Sequence, residues 1–427
     1  MSKSRKKKKV VLAVHGGAGV ILRSQLTDEM ESRYRLALQD AMIAGYTTLR
    51  RKQDDDKGSN MSSSSSSSSS SCTSAAAAAA EAAVRCLEDC PLFNAGMGSV
   101  IGNDGKIRMD AAIMTCSSDA NMNGKGMDEA GSYQTTVQDR QYPITPKPSA
   151  GSVAGVEGIK NPISLARAVM ERTPHVMLIG KGAEEFARTL PSEVVETRTR
   201  EYFWTESRHV QLENVRLQED MQNQSLASTM PSMQMKVQLD HQAQLDENKF
   251  GTVGCVVSIP IDHHDATTTS AVLLASATST GGMTNQRYNR VGDSPIIGAG
   301  TYANHLCAIS CTGHGEHFIR CVAAHDIAKR LEYKYGYGSF QNNEKEDGNM
   351  EADGSALQLA VEEVVLGTLV GNCEEETGQG GVIAIDRDGN FIARMNCPGM
   401  YHGWVYEDGE METRIFREEC MNDCTSS

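Results

Sequence analysis

The sequence predicts an α+β protein, on three observations. Runs of apolar, largely β-branched residues at 10–14, 253–261 and 270–277 suit buried strands. Stretches made almost wholly of strong helix formers, 27–49 and 75–87, suit helices. Both kinds of segment recur in each half of the chain, with further helices expected at 317–333 and 356–369.

Taken in order, the strand at 10–14 ends in His15-Gly16-Gly17-Ala18-Gly19, a turn in which glycine permits close backbone approach. The Rossmann spacing and a Walker lysine are both absent there, so the turn is a weak phosphate cradle. Thr27 caps the first helix ahead of Asp28 and Glu29. Residues 51–74, charged and then unbroken serine, read as a disordered insertion before the helix at 75–87. Proline and glycine make 87–99 a loop. Asn103-Asp104-Gly105 then reads as a turn between short strands. A strand at 151–156 and helices at 162–172 and 182–190 follow. Residues 191–250 lose glycine and regular apolar spacing and read as an exposed linker with some helical tendency. Beyond it, the runs 253–260 and 270–277 form a hairpin. Residues 334–354 read as an insertion, 381–385 and 391–395 as a second hairpin, and 408–427 as a loose acidic tail.

The chain of 427 residues is long enough for one large domain or two ordinary ones. A formal charge of -14 argues against nucleic acid as the main partner, which requires a basic face. The basic cluster of Lys3 and Arg5 to Lys9 lies in an N-terminal tail, 1–9, that reads as solvated and disordered. No stretch approaches the ~20 apolar residues of a membrane span. The run at 10–14 is too short for a secretory signal. The 12 cysteines show no CxxC pair and read as reduced thiols, so a cytoplasmic protein is expected.

The chemistry centres on Gly251-Thr252-Val253-Gly254. By itself the motif is a strand start. If the chain is cut before Thr252, the new α-amine sits beside the Thr252 hydroxyl. A threonine hydroxyl needs an adjacent base, and an α-amine with an ordinary pKa near 8 supplies one at neutral pH. Three glycine-threonine segments follow closely. Thr280 offers a hydroxyl to the nucleophile. Arg290 and Asp293 make either a surface ion pair worth under about 1 kcal/mol or a clamp for the carboxylate and ammonium of a free amino acid. Thr312 and Gly313 place a hydroxyl and a backbone N–H side by side, as a turn or as an oxyanion hole.

Together with His15 to Gly19, with Pro91-Leu92-Phe93-Asn94-Ala95-Gly96 and with Ile297-Gly298-Ala299-Gly300, these segments resemble the plant-type L-asparaginase / isoaspartyl peptidase family of N-terminal nucleophile hydrolases. They match it in order across both halves of the chain. The resemblance implies a four-layer αββα sandwich, made as a precursor and cut between Gly251 and Thr252 into chains 1–251 and 252–427. Thr252 would be the nucleophile, Thr280 its support, and Thr312 and Gly313 the oxyanion donors. Arg290 would anchor the substrate carboxylate and Asp293 its ammonium, with Asn94 also on the substrate side. It implies no catalytic cofactor. A structural sodium ion would be held by main-chain carbonyls of Leu87, Glu88, Cys90, Phe93, Ala95 and Met97. It also implies L-asparagine and β-aspartyl peptides as substrates and a dimer of αβ pairs, with neither nucleic acid nor membrane as partner. Three alternatives stay open: a glycosylasparaginase, which would carry a secretory signal; a threonine aspartase, which would lack Asp293; and a non-catalytic scaffold, which would lack Thr252 or the oxyanion pair.

Overall fold

The computed structural model describes residues 8–59, 68–117, 147–227, 251–261, 271–333, 355–370 and 378–421. Strands β1 (Val10–Gly19), β2 (Met109–Ser117), β3 (Ser149–Val156), β4 (Met177–Ile179), β5 (Val253–Ile261) and β6 (Ala271–Thr280) precede β7 (Thr301–Ala303) and β8 (Cys307–Gly313). They are followed by β9 (Gly380–Asp386), β10 (Phe391–Met395), β11 (Gly399–Tyr406) and β12 (Met411–Phe416). One sheet has the order β12-β11-β1-β5-β6-β2-β3-β4 and a second β10-β9-β8-β7. The fold is therefore α+β. The expected hairpins are present: β5 pairs antiparallel with β6 from Val253↔Ser279 to Ile261↔Ala271, and β9 with β10.

The first helices are α1 (Asp28–Ser59), α2 (Ser68–Glu88), α3 (Pro162–Arg172), α4 (Gly180–Arg188), α5 (Arg200–Phe203) and α6 (Glu206–Ala227). In the second half α7 (Gly315–Cys321), α8 (Ala323–Glu332), α9 (Ser355–Glu362) and α10 (Arg417–Met421) follow. Thr27 caps α1 as expected, its hydroxyl accepting from the Met30 N–H at 3.2 Å. The alanines of α2 let it pack against α1 at Gly45, where a Cβ would stand 2.5 Å from Leu12 and 3.1 Å from the Ala79 carbonyl.

Strand alternation sorts the core. Val253, Cys255, Val257 and Ile259 pack in one cluster with residues of α1, α2 and α3, including Leu38, Val84 and Ile163. Val256, between them in sequence, packs with Ala13, Leu274, Ala308 and Ile383, which come from both sheets. Ile309, Cys311 and Val382 pack instead with Phe318, Ile327 and Val361 on α7, α8 and α9. β5 is buried on both faces, which is why its sequence is apolar but for the small, buried Ser258.

Several expectations are corrected. His15 to Gly19 is not a turn but the end of β1, paired to β11 through Gly19↔Gly399. Within the insertion expected at 51–74, α1 continues to Ser59, where lysine, arginine and glutamine extend a helix already nucleated, α2 begins at Ser68, and residues 60–67 lie outside the described residues. Within the exposed linker with some helical tendency expected at 191–250, α5 and α6 pack against the fold up to Ala227, and 228–250 lie outside the described residues. Phe203, Leu212 and Val215 are buried there, and one narrow apolar stripe among charges hides helical spacing. The tail from Asp408 forms β12 and α10, with Ile415 and Phe416 buried. Asn103 and Asp104 do turn the chain, but only Met109 onward is strand. The helix expected at 317–333 breaks at Val322, which has φ 49°. Residues 1–7 and 334–354, expected as tail and insertion, lie outside the described residues. No helix among the described residues is long and apolar enough to cross a membrane.

Candidate active site

Thr252 stands directly before β5 and is 4% exposed. Its peptide bond to Gly251 is gripped from two sides. The Gly251 carbonyl accepts from Asn94 Nδ2 at 2.9 Å and from Thr280 Oγ1 at 3.0 Å. Thr280 Oγ1 in turn accepts from Thr252 Oγ1 at 3.4 Å and from the Gly282 N–H at 3.0 Å. Its one proton is thus committed to the Gly251 oxygen and its lone pairs to the Thr252 hydroxyl and the loop. Asn94 is fixed by donating to the Gly282 carbonyl at 2.7 Å and accepting from the Val100 N–H. On the open side runs β1. Gly17 has φ +114°, and a Cβ there would lie 3.2 Å from Gly251 Cα. Only glycine permits both that backbone conformation and that approach.

Beneath Thr252 lies a buried polar line. His15 Nε2 is 2.8 Å from Ser310 Oγ, and Ser310 Oγ is 2.8 Å from Thr278 Oγ1. Burial pushes the His15 pKa down to about 3, so the ring is neutral at all ordinary pH. Gly254 explains itself here: a Cβ would sit 2.0 Å from Ser310 Oγ and 2.3 Å from His15 Nε2. We expect Gly254→Ala to destabilise the uncut chain by about 1–3 kcal/mol through overpacking. Urea unfolding in a Thr252→Ala background, where both proteins are single chains, measures it.

Arg290 and Asp293 do not pair with each other. Arg290 Nε and Nη2 each donate to the Glu316 carboxylate at 2.9 Å, and Nη1 to Gln286 Oε1 at 3.3 Å. The two side chains nevertheless converge on Gly315. A Cβ there would be 2.8 Å from Asp293 Oδ1 and 3.1 Å from Arg290 Nη2. Asp293 is 3% exposed, and its Oδ2 has no partner among the described residues. Burial raises its pKa to about 7, opposed in part by its own backbone N–H and the Arg290 charge. Oδ2 lies toward Gly300, where a Cβ would be 2.8 Å from it, and Oδ1 is the oxygen turned to Gly315. A second buried carboxylate, Asp110, pairs in register with Thr280 and carries a pKa raised by burial to about 6. It accepts from the Gly155 N–H at 2.7 Å and feels the Arg290 charge, and so lies between Arg290 and Thr280.

Thr312 and Gly313 end β8. Thr312 Oγ1 accepts from the Ala18 N–H at 3.2 Å, one residue beyond Gly17. Gly313 has φ +146°, and a Cβ there would be 2.3 Å from the Gln379 carbonyl. The loop after α2 curls tightly. A Cβ on Gly96 would meet the Glu88 carbonyl at 2.2 Å, and one on Gly98 the Phe93 carbonyl at 2.1 Å. The carbonyls of Leu87, Cys90 and Ala95 each accept one backbone N–H, which leaves each a second lone pair. Such a cradle of carbonyls fits a hard cation.

Thr252, Gly251, Thr280 and Asn94, singled out from the sequence, are thus in direct contact. Arg290 and Asp293 share one niche, and Thr312 is tied to the strand that lies over Gly251. Sequence reasoning gives no separate role to Asp110, Ser310, Gly315 or Arg208. Gly315 and Glu316 are visible in it as part of a motif. Arg208 lies in a segment that reads as linker, and Asp110 carries no signal, since its partners are distant in sequence.

The chain belongs to the asparaginase family, whose profile matches residues 66–122 and 146–342. It is 37% identical to an isoaspartyl peptidase of Salmonella typhimurium, over 96% of this chain and 99% of the relative. It is equally 37% identical to an isoaspartyl peptidase of Escherichia coli, over 96% of this chain and 97% of the relative. It is 36% identical to a plant-type L-asparaginase of Pyrococcus furiosus, over 74% of this chain and 77% of that protein.

Proposed function

We propose that the chain is a self-processing threonine amidohydrolase that cleaves the β-amide of L-asparagine and of β-aspartyl dipeptides. The observation that carries this reading is the Gly251 carbonyl held by two donors while the Thr252 hydroxyl bonds to one of them. In the precursor, Thr252 Oγ attacks the Gly251 carbonyl carbon, and charge develops on the oxygen that Asn94 and Thr280 already hold. The Thr252 nitrogen leaves as a free amine. Water then splits the Gly251 ester and restores the hydroxyl. Chains 1–251 and 252–427 result, together forming one αββα sandwich; the sorting of β5 side chains between two clusters supports that layering.

In the mature enzyme the amine is the base for its own hydroxyl. Arg290 binds the α-carboxylate and Asp293 the α-ammonium, which leaves the β-carbonyl facing Thr252, with Thr312 and Gly313 as oxyanion stabilisers. Ammonia or an amino acid leaves, and water hydrolyses the β-aspartyl ester to aspartate. The clamp reads only the backbone end of the aspartyl unit, so both leaving groups are accepted. Glu88, Phe93 and the carbonyls around them would hold a sodium ion that rigidifies the loop bearing Asn94; no step passes through it. We assign the enzyme to a dimer of αβ pairs in a reducing compartment, the cytoplasm. Free thiols at the cysteines whose side chains are described, Cys255 and Cys307 among them, support the latter.

The test joins mass to rate. Purified protein should separate under denaturing conditions into two chains split between Gly251 and Thr252. It should release aspartate from asparagine and from a β-aspartyl dipeptide, and none from the α-linked isomer, whose α-carboxylate is consumed in the peptide bond. Hydrolysis of the α-linked isomer at a comparable rate would remove the clamp assignment.

A further inference from the structure

The helix α6 carries a buried charge that the reaction above does not use. Arg208 is 6% exposed and lies on the same helix face as Leu212 and Val215, both buried. Its Nε donates to the Gly98 carbonyl at 2.7 Å and its Nη1 to Gln211 Oε1 at 3.1 Å. No carboxylate among the described residues pairs with it, and burial lowers its pKa from the ordinary value. An arginine this deep without an anion is costly. It lines a small cavity together with Gly17, Phe93, Asn94, Tyr401 and Gly251. Gly251 is the residue that becomes a carboxylate when the chain is cut.

We propose that Arg208 is a binding residue for a chain-terminal α-carboxylate next to the nucleophile. The inference rests on the processing and hydrolysis assigned above. Two sources share this chemistry. One is the Gly251 carboxylate, one of whose oxygens already accepts from Asn94 as a carbonyl. The other is the α-carboxylate of the residue leaving from a β-aspartyl dipeptide, admitted once the chain end withdraws. The first makes Arg208 a latch that keeps the new terminus in the site until substrate displaces it. The second makes it the residue that favours dipeptides over asparagine, which has no second carboxylate.

The experiment compares processed wild type, Arg208→Gln and Arg208→Lys. Rates are measured on a β-aspartyl dipeptide and on the same dipeptide with a C-terminal amide. Carboxypeptidase trimming of the Gly251 end is followed by intact mass. If the leaving group is the source, the acid-to-amide ratio of kcat/KM falls about tenfold or more in the glutamine variant and is largely kept by lysine, with trimming unchanged. If the Gly251 end is the source, trimming accelerates about tenfold while the ratio stays fixed. Neither ratio nor trimming moving overturns the proposal. Should the glutamine variant not fold, wild type still decides: an acid-to-amide ratio near one together with immediate trimming overturns it. A wild type that is cut but hydrolyses neither dipeptide defeats the assigned activity, and trimming alone then reads Arg208.

Discussion

Thr252→Ala yields one uncut chain and no hydrolysis, a loss on the order of 10⁴-fold or more, because nucleophile and base vanish together. The wild type gives two chains. Thr252→Ser keeps both hydroxyl and amine and is expected to cut, more slowly. The structure predicts that the alanine variant nevertheless folds: Thr252 precedes β5, and the hydrogen bonds of Asn94 and Thr280 go to the Gly251 carbonyl, which the substitution leaves in place. A thermal unfolding trace of the alanine variant with a single cooperative transition, alongside intact mass, separates lost chemistry from lost fold. An alanine variant that still splits at Gly251 would show that the hydroxyl is not the attacking group.

The second large effect falls on Asp293. Its folded pKa is raised by burial from 3.8 to about 7. Between those values the folded chain holds a proton that the unfolded chain has lost, so this group's contribution to stability falls as pH rises from 3.8 towards 7. The carboxylate that is proposed to bind the substrate ammonium forms over the upper end of the same window. KM for asparagine should therefore drop as pH rises through about 7, while the melting temperature of the substrate-free enzyme drifts down. Asp293→Asn uncouples the two. It forfeits a charged hydrogen bond of about 1.5–3 kcal/mol, raising KM roughly ten- to hundredfold, and removes the buried charge, so its melting temperature above about pH 7 exceeds that of wild type. A variant with lower melting temperature and unaltered KM would mean that Asp293 supports the fold and not the substrate.

The legibility of this chain follows the range of its interactions. β5 and β6 are readable because burial on both faces demands a mainly apolar run, Val253 to Val257 and Ala271 to Ala275, with small Ser and Thr beyond it. The nucleophile and clamp are readable because each lies within a short glycine-bearing segment. Where a role depends on partners far along the chain, the sequence is mute. Asp110 acts through Gly155 and Arg290, and Arg208 through Gly98, more than a hundred residues away. The pairing of Arg290 with Glu316 is hidden for the same reason: Asp293 is nearer in sequence, but the start of α7 brings Glu316 to the guanidinium. Composition misleads at α6, where one buried face among glutamate, glutamine and arginine looks like linker.

The sheet order has a further consequence. β1 lies between β11 and β5, and β2 lies beyond β6. A cut at Gly251 therefore leaves two pieces shuffled into each other like halves of a deck, and each surrounds strands of the other. Before the cut, refolding is a unimolecular search; after it, two fragments must collide, and each arrives with raw strand edges that favour aggregation. The mature enzyme is expected to be a one-way product of its precursor. Diluted from guanidinium, Thr252→Ala should regain its native spectrum with a yield independent of concentration, whereas the cut wild type should recover little and lose more as concentration rises. What persists after maturation would then be guarded by the height of the unfolding barrier, not by the equilibrium that first built the fold.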